Sequence, residues 1–435
     1  MNLADVLLWG RRIGAVSVES PGAVPVFQYT PEFARSGIEV SPVRMPLAEA
    51  PYRFPELLAL ESFAGLPGLL ADSLPDRWGR TLVDSWLRSQ QRAPESFDVV
   101  ERLCYLGTRG MGALEFEPLL GPAPDSDTSV ELDRLVELAN EVLDDRARFE
   151  VDLGDDPSEH EIMQLLSIGT SAGGARPKAV VAFNESTGQM RSGQVDAGSG
   201  FEYWILKFDG VARSGDHGLV DPQGWGVVEY AYSRMARAAG IDMTETRLLD
   251  EGPRRHFMTK RFDRDASGRK IHMQTVAALE HVDYNEPGLY SYERLIALAR
   301  KLGLDARATE EIYRRMVFNV VARNQDDHVK NFAFMMDRTG QWALSPAYDV
   351  TWSYKAGNLW LEAHQMTINR KREDFVADDL FAVARAGGLK RGRDRKILEE
   401  VTEVVREWPA FADDAGVDER LRDAAAASHR LSLTS

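Results

Sequence analysis

Asn324-Gln-Asp-Asp-His-Val-Lys-Asn331, with Phe332 to Asp349 behind it, is the stretch from which the rest of this chain can be read. Phe332-Ala-Phe-Met-Met-Asp337 and Gln341-Trp-Ala-Leu344 flank Arg338-Thr339-Gly340. Two apolar runs about a glycine-containing turn predict a β-hairpin. Position 340 is the midpoint of 331 and 349, so closure about that turn returns Asn331 and Asp349 to one end, beside Asp326. Such oxygens are hard ligands that suit Mg²⁺ carrying waters and nucleotide phosphates. Upstream, Ile312, Met316, Val317, Val320 and Val321 share one face of a helix expected over 310–322, a rigid support for the loop.

Protein kinases carry the catalytic base and one metal ligand in Asp-x-x-x-x-Asn, then a metal-binding aspartate after a hairpin. Asp326, Asn331 and Asp349 follow that order. An isolated Asp-x4-Asn more often caps backbone and fills a turn, so the weight comes from its surroundings. Ser167-Ile-Gly-Thr-Ser-Ala-Gly-Gly-Ala-Arg-Pro-Lys178 leads into the apolar run 179–183. Its small residues let backbone N–H groups approach an anion, Lys178 adds charge, and Thr170 and Ser171 offer hydroxyls. Phe201-Glu-Tyr-Trp-Ile-Leu-Lys207 reads as a strand whose lysine would meet phosphates in a nucleotide cleft. Glu229 opens a helix expected over 230–239 and is the expected partner of Lys207. With a connecting strand over 256–262, six elements stand in kinase order.

Here the chain resembles a known family, the HipA-type serine/threonine kinases, which are the toxins of bacterial type II toxin–antitoxin modules. The carriers are Leu70-Ala-Asp-Ser-Leu-Pro-Asp-Arg-Trp-Gly-Arg80 and Leu103-Cys-Tyr-Leu-Gly-Thr-Arg-Gly-Met-Gly-Ala-Leu-Glu-Phe-Glu117. Further carriers are 167–178, Lys260-Arg-Phe-Asp-Arg264, Ile271-His-Met-Gln-Thr275, 326–331 and Ser345-Pro-Ala-Tyr-Asp349. The resemblance implies an α+β, bilobal protein-kinase-like fold with a β-rich amino-terminal subdomain and a mostly α-helical large lobe. It implies Asp326 as the catalytic base, Asn331 and Asp349 as Mg²⁺ ligands, and Lys207 on the phosphates of ATP. It places Ala172, Gly173, Gly174, Ala175 and Lys178 over the nucleotide, and the segment Lys260 to Phe262 at the adenine. His328 and Lys330 fall on the nucleotide side of the catalytic loop, although His328 by itself reads as a packing histidine rather than a metal ligand.

Members of the family autophosphorylate a serine in the glycine-rich loop and so switch off; Ser171 is the matching position. Thr170 adjoins it, and Arg176-Pro177 replaces the polar pair of the best-known pattern. The implied partners are a helix-turn-helix antitoxin, DNA through the antitoxin complex, and a protein substrate associated with translation. Two readings of other classes stay open. One is a metal-dependent phosphohydrolase or nuclease built on Asp326, Asp327, His328 and Asp349. The other is a non-catalytic corepressor acting through its antitoxin, against which the intact Asp326, Asn331, Asp349 and Lys207 weigh.

The 435 residues, 44% hydrophobic, suffice for about three domains, expected at 1–120, 130–265 and 266–435. The 121–128 stretch reads as a linker, and the acidic 150–161 stretch as a solvated connector that lacks calcium-loop spacing. A hairpin is expected from 6–9 and 13–17, and helices over 55–64, 79–89, 291–302, 378–386 and 395–408. Cys104 is the single cysteine, which excludes intrachain disulfides and fits a reducing compartment. No basic region precedes the first apolar run, and no run nears the roughly 18 apolar residues of a membrane span, so a soluble, cytoplasmic protein is expected. The net charge of −16 disfavours broad nucleic-acid binding. The basic clusters 370–372 and 390–396 read first as solvated faces.

Overall fold

The computed structural model describes residues 2–121, 136–137, 139, 176–211 and 223–433. The glycine-rich loop up to Ala175, with Ser171, and the acidic stretch 150–161 lie outside the described residues. The chain forms two compact units: 1–223, 248–273 and 338–340 in the first; 224–247, 274–337 and 341–435 in the second. The amino-terminal subdomain and most of the small-lobe strands thus share one unit.

In the first unit, β1 (Asn2–Leu8) and β2 (Arg11–Val18) form the expected hairpin about Trp9-Gly10, both at positive φ, 52° and 76°. That two-residue turn matches the natural strand twist. β3 (Val26–Tyr29) and β4 (Leu114–Glu117) complete a sheet in the order β3-β2-β1-β4. Four helices fall between them: α1 (Pro31–Ala34), α2 (Gly68–Ala71), α3 (Arg77–Ser89) and α4 (Val99–Leu106). The helix expected over 55–64 is instead a 3₁₀ turn, Pro55–Leu57, followed by further i→i+3 bonds up to Leu66. Ala64 and Gly65, at φ 49° and 81°, turn the chain out of the helical region at the end of the stretch.

β5 (Lys178–Asn184), β6 (Gln189–Ser192), β7 (Glu202–Lys207), β8 (Thr246–Glu251) and β9 (Arg254–Lys260) form a sheet ordered β6-β5-β7-β9-β8. β5 is buried from Lys178 to Phe183, as a continuous apolar run demands. Its residues Ala179 and Val181, with Trp204, Leu206 and Met258, pack against Trp78, Leu82, Val83 and Leu87 of α3. The amino-terminal subdomain and the sheet therefore share a core.

A second tie is ionic. Arg261 donates to both oxygens of Asp263 at 2.8 and 2.7 Å, Arg264 donates at 2.9 Å, and the Gly112 N–H donates at 2.7 Å. Burial pushes the Asp263 carboxyl up, but the two guanidiniums and the Gly112 bond outweigh it and hold the carboxyl well below its usual range.

The second unit is mostly helical: α5 (Trp225–Ala238), α6 (Val276–Glu280), α7 (Tyr292–Lys301), α8 (Ala306–Val321), α9 (Ala377–Ala386), α10 (Arg393–Arg406), α11 (Trp408–Ala415) and α12 (Glu419–Ser428). A three-stranded sheet runs β10 (His272–Thr275), β11 (Ala333–Met336), β12 (Trp342–Leu344). α8 is buried on every side from Ile312 to Val321. Its two arginines there are satisfied: Arg314 by Glu400 at 2.8 Å and Arg315 by Glu311 at 2.7 Å. The basic clusters are partly paired at the surface, with Lys371 on Asp379 at 2.7 Å and Arg393 on Glu310 at 2.8 Å. Among the described residues no helix is long and apolar enough to cross a membrane. Cys104 is buried, and its thiol is pushed up to about 11 by that burial.

Asp263→Asn strands two buried guanidiniums and is expected to cost about 3–5 kcal/mol, measured by chemical unfolding. Because the folded carboxyl is depressed, the parent's extra stability is complete above about pH 4 and is lost as pH falls below that value.

Candidate functional site

α8 ends in Ala322, and Arg323 at φ 58° turns the chain out of the helix. The next residue is tied back: Asn324 N–H donates to Asn319 O at 3.0 Å, and its Nδ2 donates to Asn319 Oδ1 at 2.9 Å. Gln325 N–H donates to Ser353 O at 3.2 Å. The loop therefore leaves a buried helix with its first two residues fixed.

The adjacent acids that follow have opposite surroundings. Asp327 is 1% exposed. Its Oδ2 accepts from Tyr292 Oη at 2.7 Å and meets His364 Nδ1 at 2.9 Å, while Oδ1 accepts from Gln365 N–H at 2.8 Å. Burial, then the Asp327 charge and its hydrogen bond, push the Tyr292 phenol well up, so it stays protonated and donates. Asn319 Nδ2 donates to the same phenol at 3.0 Å, linking Asp327 to α8. Asp326 has a 34% exposed side chain, and one oxygen accepts from Trp360 Nε1 at 2.8 Å. One acid holds the loop and the other faces out.

Asn331 Nδ2 donates to Asp326 O at 2.8 Å, which fixes the Asn331 side chain against the loop backbone. The hairpin forms as the sequence predicts, with Phe334 opposite Leu344 and Met336 opposite Trp342. That register centres the turn on Thr339 rather than Gly340. Gly340, at φ 86°, takes the left-handed third place of a three-residue loop. The return is nonetheless complete, since Ser345 N–H donates to Ala333 O at 3.0 Å and Tyr348 Oη donates to Lys330 O at 2.6 Å. Tyr348 precedes Asp349 and Lys330 precedes Asn331, so the two expected ligands come back to one end. Asp349 itself takes φ 56°, a left-handed conformation that aspartate tolerates better than most residues.

His328 is a packed residue: Nδ1 accepts from Lys330 N–H at 3.2 Å, and its ring lies 5.5 Å from that of Tyr284 and 6.4 Å from that of Trp360. The Lys330 ammonium sits 4.9 Å over the Tyr284 ring. With Asp327 turned inward, the grouping of Asp326, Asp327, His328 and Asp349 needed by a phosphohydrolase is not assembled. No group of three or more His, Cys, Asp or Glu converges among the described residues. What remains, carboxylate and amide oxygens at Asp326, Asn331 and Asp349, fits a hard divalent cation.

In the first unit, Lys207 lies opposite Phe257 in the register, and its ammonium is 5.7 Å from that ring. Lys260 pairs with Glu202 across the partly exposed ends of β9 and β7, and Arg261 N–H donates to Tyr203 O at 2.8 Å; Phe262 is half-buried. Lys178 is only 2% exposed, with its ammonium 3.0 Å from Asp76, so its charge is committed to that partner rather than offered openly to a phosphate. Glu229, 1% exposed in α5, belongs to the second unit, and Lys207 to the first. Ser171, Ala172, Gly173, Gly174 and Ala175 lie outside the described residues. Trp360, His364, Gln365 and Tyr292 are absent from the sequence-derived set, for nothing in their spacing from residue 326 announces them. Asp76 lies within a motif singled out above, without a role there.

Residues 170–408, more than half of the chain, match the HipA-like C-terminal domain family, and residues 4–117 match the HipA N-terminal domain family. A kinase-named protein of Haemophilus influenzae is 26% identical over 159 residues, 33% of this chain and 46% of that protein. The kinase-named Y4dM of Sinorhizobium fredii is 29% identical over 161 residues, 34% of this chain and 36% of that protein. The chain thus matches less than half the length of these curated relatives. A chain of the Shewanella oneidensis complex of HipA, HipB and operator DNA superposes with a TM-score of 0.65 at 18% identity, covering 98% of this chain and 94% of that one. That likeness extends the α+β, kinase-like fold to nearly the whole length. The chain belongs to the HipA family.

Proposed function

We propose that this protein is an ATP- and Mg²⁺-dependent serine/threonine protein kinase, the toxin of a toxin–antitoxin pair. The observation that carries this is the division of labour between Asp326 and Asp327. Two adjacent carboxylates share a loop, yet one is consumed by the interior while the other is held partly exposed by the Trp360 indole N–H, with His328 Nε2 3.8 Å from the same oxygen. A base that must accept a proton from a substrate hydroxyl needs that placement.

Each side chain then has a task. Asp326 orients the acceptor hydroxyl and takes its proton. Trp360 holds one Asp326 oxygen, leaving the other for the substrate. Asn331 fixes the Asp326 carbonyl through its amide nitrogen and, with Asp349, offers the oxygens that would hold the metal ion. Bound Mg²⁺ supplies neutralisation of charge on the transferring phosphoryl group. In the first unit, Lys207 offers its ammonium to the nucleotide phosphates, and the strand end at Lys260 to Phe262 offers backbone groups to the base. Autophosphorylation at Ser171 is the proposed off-switch. The partners proposed from the family and from the Shewanella complex are a helix-turn-helix antitoxin, DNA through that antitoxin, and an acceptor protein in translation.

Incubation with Mg-ATP is expected to add one phosphate by intact mass, mapped to Ser171, and Asn331→Ala or Asp349→Ala should remove that gain. A starting protein of unmodified mass that gains nothing overturns the proposal. Trp360→Phe keeps the ring but loses the N–H; it should lower kcat about tenfold at unchanged KM for ATP, read in a radiolabel transfer assay.

A further inference from the structure

The Leu74-Pro-Asp-Arg-Trp-Gly79 segment of the amino-terminal subdomain has no part in the proposed reaction described so far. It holds Lys178, the residue that ends the glycine-rich stretch and starts β5, in two independent ways. Asp76 Oδ2 accepts from Lys178 Nζ at 3.0 Å, with side chains 7% and 2% exposed. Trp78 Nε1 donates to Lys178 O at 3.0 Å. Asp76 is itself immobilised, because it caps α3 by accepting from Gly79 N–H at 2.7 Å. The Trp78 ring is packed in the core that α3 shares with β5 and β7.

The register adds an electrostatic reason. Lys178 lies directly opposite Lys207 across the β5–β7 ladder, so two ammonium-bearing side chains start from neighbouring points on one face. Like charges so placed repel, and a buried lysine without a counter-ion tends to lose its proton or its place. Asp76 neutralises Lys178 and so relieves the repulsion between the two ammonium groups.

We propose that Asp76, with Trp78, is a positioning residue of the nucleotide site. The amino-terminal subdomain fixes the end of the phosphate-binding stretch and tunes the charge beside Lys207, and so sets affinity for ATP. This rests on the kinase reading above.

The test is equilibrium binding of ATP with Mg²⁺ to the full-length protein, with thermal unfolding of each variant alongside. Asp76→Asn should weaken binding about tenfold. Asp76→Asn combined with Lys178→Met removes both charges and should recover most of that loss. Trp78→Phe keeps the ring in the core, loses only the bond to Lys178 O, and should weaken binding about threefold; if Asp76→Asn does not fold, this variant decides. Folded variants that bind ATP as the parent does, whatever their unfolding temperatures, overturn the proposal and leave the kinase reading standing. A parent that binds no ATP overturns both.

Discussion

The Asp327 carboxylate is the interaction on which the candidate site depends. Three groups from two parts of the second unit converge on it: the Tyr292 phenol, and the His364 ring and Gln365 backbone of one segment. A carboxylate this deeply buried is tolerable only when its oxygens are bonded. Once they are, the chain on either side has little freedom. Tyr292 ties the loop through Asn319 to α8, and Gln365 ties it to the segment that also carries Trp360. Asp326 inherits its position from its neighbour, and the Trp360 indole bond, with His328 nearby, sets its exposed orientation.

The same economy governs the first unit. Two aspartates, Asp76 and Asp263, each satisfy buried cations, and both tie the amino-terminal subdomain to the five-stranded sheet, Asp76 through Lys178 and Asp263 through the Gly112 N–H. Asp76 does so where β5 begins, and Asp263 just beyond the end of β9. The shared apolar core of α3 and the sheet supplies the bulk of the cohesion, while the ion pairs fix which strand ends are held. An amino-terminal segment of this kind acts as a brace for the ends of β5 and β9 rather than as an appended domain.

What sequence alone conveyed follows from what is local. The β11–β12 hairpin and α8 were readable because periodicity and turn chemistry act over a few residues, and the order Asp326, Asn331, Asp349 was readable because a spacing is written in the chain. The turn centre was off by one, since a three-residue loop puts its glycine at the third place rather than the middle. Which of Asp326 and Asp327 faces solvent was not decided by the pattern: the donors that bury Asp327 come from 35 to 38 residues away. Lys178 looked like a free phosphate ligand because its partner lies 102 residues upstream. The 55–64 stretch has helical composition, but its 3₁₀ turn and the positive φ of Ala64 and Gly65 were not legible in its pattern.

The most direct test of this account compares Asp326→Asn with Asp327→Asn, measuring phosphoryl transfer and thermal unfolding on the same preparations. Asp326→Asn should unfold with the parent and lose transfer by ~10²–10⁴-fold. Asp327→Asn should instead lose roughly 3 kcal/mol of stability, with its activity falling because the loop is no longer held. A stable, inactive Asp327→Asn beside a destabilised but active Asp326→Asn would reverse the two roles and contradict the account.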